Sequence, residues 1–234
     1  TIVECNTAYP GKRMNSRDHF ETIKAHGFLN ITRCDIMDEE GDMEIPVNGG
    51  VHLQGKNIVG THLKNYDSML MLSHFKGHAM GGFGGALKNM SIGVASSHGK
   101  AWIHSVGRTT DQNAMWGLIE DQDGFLESMA EADKAVVDFF KPENMAYINV
   151  LNKISIDCDC DANPHEPEMA DIGIVASLDP VAIDKCCYDM IINSLDEGKA
   201  SLIKRMEEKH AIHTVYTAAS LGIGSIEYEI IDIN

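Results

Sequence analysis

The sequence predicts an α/β fold: a mainly parallel mixed sheet flanked by helices. Three observations carry this. Runs rich in β-formers alternate with stretches of helical spacing along the whole chain. The run "SMLMLSHF" at residues 68–75 is apolar until it turns polar, as a buried parallel strand does when its carboxyl end opens into a site. The chain has 234 residues, 44 % apolar and 23 % charged, enough to bury a substantial core.

The elements follow in order. "TIVEC" is a short strand, closed by a turn at Pro10 and Gly11. Residues 16–26 suit a helix capped by Ser16, with Phe20, Ile23 and Ala25 facing inward and Gly27 ending it. "NITRCDIM" is a strand. Residues 38–60, punctuated by Gly41, Gly49, Gly50 and Gly55, suggest hairpins. Residues 89–95 fit a helix start or a strand. In residues 125–140, Phe125, Met129, Ala132, Val136 and Phe139 or Phe140 recur at helical spacing. "MAYINVLNKIS" and "DIGIVASLD" are strands. Asp179 caps a helix whose first turn holds Pro180 and which runs to about Asn193. Residues 201–209 and "HTVYTAASLGIG" are further helices, and "IEYEIIDI" alternates as a final strand. No repeat or low-complexity linker interrupts this pattern. One domain is expected, with possible lobes 1–110 and 111–234. A chain that opens directly on a strand is expected to lack a further N-terminal α/β portion.

The net charge of −16 argues against nucleic acid or an anionic membrane as a partner. No apolar run reaches the length of a membrane span. Among the six cysteines, the close pairs Cys158/Cys160 and Cys186/Cys187 are awkward for simple disulfides, so a reduced, cytoplasmic protein is expected.

The stretch "SHFKGHAMGGFGGALKNM" at residues 73–90 concentrates the chemistry. Gly81, Gly82, Gly84 and Gly85 let backbone approach a ligand and could form an anion-binding nest, unless they serve a tight packed turn. The GK[ST] ending of a phosphate loop is absent. His74, Lys76, His78 and Lys88 flank the glycines, and Lys100 and His104 follow. Histidine is an acid, base or metal ligand near neutral pH, and lysine binds phosphate or, desolvated, acts as a nucleophile. A second cluster, "DCDCDANPHEPEMAD", gathers Cys158, Cys160 and His165 among carboxylates, and Cys and His suit borderline metals, although C-x-C alone also fits a polar turn. Asn6, Tyr9, Lys12 and Arg13 follow the first strand, where a parallel sheet places substrate contacts.

The segments "LSHFKGHAMGGFGGALKNMSIGVASSHGKAWIH", "DCDCD", "DIGIVASLDPVAID" and "NTAYPGKR" resemble domain of unknown function family 362, whose members are often labelled Fe–S centre proteins. The resemblance covers nearly the whole chain. Many members carry ferredoxin-like cysteine motifs between the equivalents of His104 and Phe125, but residues 105–124 hold no cysteine, so no ferredoxin-type cluster is expected. The segment "HAMGGFGGALK" is also similar to the nickel-pincer lactate racemase family. That resemblance implies a cofactor joined to Lys88, a nickel ligand at His104 and proton transfer by His78.

These observations lead to an expected cofactor- or metal-dependent site at the Gly-rich loop, acting by proton transfer or redox chemistry on a small anionic substrate. His78 and Lys88 are its catalytic candidates. Gly81, Gly82, Gly84, Gly85, Lys76, Lys88 and Lys100 would bind the cofactor, and His104, His74, Cys158 and Cys160 a metal. A metal-delivery protein and a non-catalytic anion binder are the alternatives. The expected partners are a small anionic molecule or a metal, and a second copy of the chain.

Overall fold

The computed structural model describes residues 1–119, 121–158, 161 and 163–233. In chain order the elements are β1 (Ile2–Glu4), α1 (Ser16–Ala25), β2 (Cys34–Ile36), β3 (Asp42–Pro46), β4 (Lys56–Gly60), β5 (Met69–His74), β6 (Lys76–His78), β7 (Gly82–Gly84), α2 (Ala86–Val94), α3 (Ser97–His104), α4 (Gln122–Phe140), β8 (Met145–Leu151), β9 (Gly173–Ser177), α5 (Pro180–Asn193), α6 (Ala200–Glu208) and α7 (Ile212–Ser220). The fold is α/β. Its strands form four small sheets, with parallel pairing at β1–β2 and β5–β8 and antiparallel pairing elsewhere. No helix among the described residues is long and apolar enough to cross a membrane.

The chain forms two compact units, each assembled from two stretches. The lobes expected at 1–110 and 111–234 are continuous stretches; the observed units interleave, because the strand pair β5–β8 joins segments far apart in sequence.

The first unit comprises Thr1–Ser68 and Met90–Phe139. Helix α1 crosses between the parallel strands β1 and β2, with Ile2 opposite Cys34 and Glu4 opposite Ile36. Its cap is Asn15, one residue before the expected Ser16: the Asn15 side chain accepts the Asp18 amide at 3.0 Å. His19 takes the fully buried position, while Phe20 and Ile23 are half-buried and Ala25 is exposed. Gly27, at φ +79°, ends the helix as expected. Strands β3 and β4 form an antiparallel hairpin. On α4, Phe125, Met129, Ala132 and Val136 are buried at helical spacing beside Leu126. Burying such a side chain contributes about 1.5–3 kcal/mol relative to leaving it in water.

The second unit comprises Met69–Asn89 and Phe140–Asn234. Its sheet has the order β5-β8-β9, with Met69 opposite Met145 and His74 opposite Val150. The continuous apolar run does not make β5 a doubly covered strand. Met69, Met71 and Ser73 are buried, while Leu70 and Leu72 are 53 % and 62 % exposed. The period of two therefore still operates within an all-apolar sequence. Asp179 caps α5 as expected, accepting the amides of Val181 at 2.8 Å and Ala182 at 2.9 Å. The alternating "IEYEIIDI" forms no strand. Its backbone is tied instead at Ser225, whose amide donates to Asp179, and Tyr228 donates its hydroxyl to Asp189. Alternation supplies a face, but a strand also needs an edge to pair with.

Candidate functional site

The Gly-rich stretch folds as a small hairpin in the second unit. Strand β6 pairs with β7 so that Lys76 lies opposite Gly84 and His78 opposite Gly82. Phe75 stacks on Phe83 with centroids 5.1 Å apart and fixes the hairpin on the core. Gly82 sits at φ +79°, and a Cβ there would come 2.4 Å from Ala211 Cβ, so both conformation and packing demand glycine. All four candidate glycines are buried.

Helix α2 starts directly after the hairpin, and its first amides do not face an open nest. The fully buried Asp184 of α5 accepts the Ala86 N–H at 2.7 Å and the Leu87 N–H at 2.9 Å. A Cβ on Gly85 would lie 2.4 Å from that carboxylate. Asp184 also accepts from Asn149 Nδ2 at 2.7 Å. Burial raises its pKa to about 6, against the lowering effect of these three hydrogen bonds. The helix terminus is thus anchored by the protein's own anion.

His78 is the centre of the polar groups around the hairpin. Its ring is only 8 % exposed. Nδ1 accepts the amides of Met80 at 3.2 Å and Gly81 at 3.0 Å, so the neutral ring carries its proton on Nε2. Burial, and after it the charges of Lys88 and Lys76, push the imidazole below its ordinary range, while a hydrogen bond with Cys158 acts in the opposite direction. The ring is neutral at pH 7. The Lys88 stem runs along Gly84, where a Cβ would stand 3.3 Å from Lys88 Cδ. Lys76, Lys88 and Cys158 are each half-buried. His74, at the end of β5, donates from Nε2 to the Asn152 carbonyl at 2.7 Å.

A second polar cluster belongs to the first unit. Lys100, 7 % exposed, donates to the Ala95 carbonyl at 2.6 Å. Burial holds its ammonium below the usual lysine range, opposed by the charges of Cys5, Asp38 and Glu4. Asp38 accepts from the Asn6 amide at 2.9 Å and the Ser97 amide at 3.0 Å. Glu4 pairs with Arg13 at 3.0 Å and His19 at 3.2 Å. Burial works to raise the Glu4 carboxyl, but His19, Arg13 and Lys100 together hold it below the ordinary value. Cys5 is pushed up to about 12 by burial and donates to the Val94 carbonyl at 3.3 Å. Asn6 and Arg13, expected as substrate contacts, are spent in this network. His104 lies on α3 in the same unit. Its Nδ1–H donates to the Lys100 carbonyl at 2.6 Å and its ring stacks on Phe125 at 4.9 Å, which leaves Nε2 as the acceptor nitrogen.

The candidate residues therefore divide between units. His74, Lys76, His78, Gly81, Gly82, Gly84, Gly85, Lys88 and Cys158 belong to the second unit, and Lys100 and His104 to the first. Cys160 lies outside the described residues. Among the described residues, no group of three or more His, Cys, Asp or Glu side chains is gathered as a metal ion requires.

Sequence reasoning passed over Asn149. Asn149 is fully buried, donates to Asp184 and Cys187, and its Oδ1 has no hydrogen-bond partner among the described residues. A signal for it exists: Met145, Tyr147, Asn149 and Leu151 share the buried parity of β8, and asparagine is the polar exception there.

No curated protein and no solved structure matches the chain. Residues 1–189 match the family model described as Domain of unknown function (DUF362). That match spans most of the chain's 234 residues, and the chain belongs to this family.

Proposed function

We propose that the second unit carries an active site at the β6–β7 hairpin for a small anionic substrate. In this reading Lys88 and Lys76 hold the anion, and His78 is a hydrogen-bond and proton donor to charge that develops on the substrate. The observation that supports it is the setting of His78: a buried neutral ring with Nδ1 occupied by two amides, bordered by two ammonium groups. A buried neutral imidazole donor stabilises an oxyanion without giving up its proton in the ground state. Because Nδ1 is occupied, the ring is better suited to donate from Nε2 than to act there as a base.

If a cofactor is instead joined at Lys88, as the racemase resemblance implies, that cofactor would supply the redox part of the chemistry. Intact-mass measurement of native protein, with peptide mapping to Lys88, distinguishes a covalent cofactor from a free substrate anion. The direct test is titration calorimetry with inorganic phosphate and with malonate. Lys88→Ala is expected to abolish binding with an unchanged melting temperature. Unchanged affinity for both anions would sink the proposal.

A further inference from the structure

We infer that the outward face of the β5-β8-β9 sheet is the interface of a homodimer. The strand registers fix which side chains share that face. Leu72, Ile148 and Ala176 form the middle row, with His74, Val150 and Ile174 on one side of it. Leu70, Ala146 and, one residue beyond β9 in the same register, Leu178 form the row on the other side. All but His74 are apolar, and none is Asp, Glu, Lys or Arg. Helix α5 lies against the opposite face, where Asp184 accepts from Asn149. Across the middle strand from the exposed Leu70 and Leu72, Ile174 is 71 % and Leu178 76 % exposed. The C-terminal segment, tied to Asp179 and Asp189 through Ser225 and Tyr228, leaves these side chains open.

Size, relief and charge select a second copy of the chain as the partner. The face exposes on the order of 500–600 Å² of apolar surface, the top of the range for the largest patch on an ordinary monomer. Two such faces together bury roughly 1,000–1,200 Å², the low end of a specific protein–protein interface. The relief is self-complementary. A two-fold axis along β8 keeps Ile148 at the centre and sets Leu72 of one copy over the partner's Ala176, large against small. That axis also holds the strands of the two sheets in the aligned packing of a sandwich, about 10 Å apart. Each copy carries a net charge of −16, so two copies repel unless they meet through a face without charged side chains.

Sedimentation velocity of the full chain from about 1 to about 200 µM tests this. A reversible dimer with Kd on the order of 10 µM is expected from an interface of this size. It should tighten several-fold between about 20 mM and about 500 mM NaCl, because salt screens the repulsion between two acidic copies. Leu72→Glu and Ile174→Glu should each weaken it at least about 30-fold, since the symmetry puts the new charge into the apolar contact twice. Leu72→Thr combined with Ile174→Thr keeps strand propensity, adds no charge and should weaken it at least about five-fold. Both side chains are exposed in the single chain, so the melting temperature of the dilute monomer should hold. Ile31→Glu, in the exposed apolar stretch at residues 28–31 of the first unit, is the control and should leave Kd unchanged. A chain that stays monomeric at about 200 µM overturns the homodimer. A dimer that survives the substitutions in the sheet, or that Ile31→Glu breaks instead, overturns the sheet face as its interface.

Discussion

Two lysine clusters in this chain look alike in sequence and differ in burial. In the first unit, Lys100 is almost fully buried, and the groups around it are committed to the protein. Asp38 holds Asn6 and Ser97, Glu4 holds Arg13 and His19, and Lys100 itself holds Ala95. In the second unit, Lys76 and Lys88 keep half-exposed side chains beside a neutral histidine. Burial with committed partners makes a network that the fold requires, because an unpaired charge there is costly. In the proposed site, partial burial beside a fixed donor lets these ammonium groups meet an anion from solvent.

The largest effect that could break this contrast is Lys100→Met. It removes the cation that offsets Asp38 and Glu4 in nearly dry surroundings, and about 3–5 kcal/mol of stability should be lost in urea unfolding. A loss below about 1 kcal/mol would mean that the cluster tolerates being unpaired, as a surface ion pair does.

Next is the pH dependence from Asp184. Its folded-state value is raised from 3.8 to about 6, so between these limits the folded protein binds more protons than the unfolded chain. Stability from this group is therefore greatest at low pH, declines as pH rises from about 4 to about 6, and is level above that. The span is on the order of 3 kcal/mol. Asp184→Asn should remove this slope, which urea titrations at several pH values would show. An identical slope in the variant would assign it to other carboxyl groups.

Asp184→Ala sharpens the same point at neutral pH. It deprives Ala86, Leu87 and Asn149 of their acceptor, at about 2–3 kcal/mol. Amide exchange at residues 86 and 87 should accelerate selectively; protection that persists there would show that another acceptor replaces the carboxylate.

The smallest expected stability effect is Lys88→Met, within roughly 0.5 kcal/mol. That near-silence is itself the contrast with Lys100→Met. A loss above about 2 kcal/mol would place Lys88 with the structural lysines and count against the proposed anion site.

Much of the fold was legible because local rules wrote it. The Asp179–Pro180 start of α5, the Gly27 stop of α1 and the inward stripe of α4 follow from capping and periodicity. Errors came where a neighbour decides. Asn15 rather than Ser16 caps α1, because the cap is the residue whose side chain meets the Asp18 amide. The final alternating segment pairs with no strand of the described chain. At the candidate site, the residue types around the Gly-rich stretch were visible, but their grouping was not. His78, Lys88, Lys76 and Cys158 are drawn from positions up to 82 residues apart, and sequence spacing carries no information about such approach.

The sequence by itself determined the α/β class, most elements, the acidic surface and the concentration of His, Lys and Gly in one stretch. Only the tertiary structure decided how those residues are placed. It closed the α2 terminus with Asp184, spent Nδ1 of His78 on two backbone amides and separated the structural Lys100 from the half-exposed Lys88. The physical reason is that helix starts and apolar stripes depend on residues within a turn or two. Burial, charge neighbours and tautomers depend on groups that only the folded chain brings within a few ångströms.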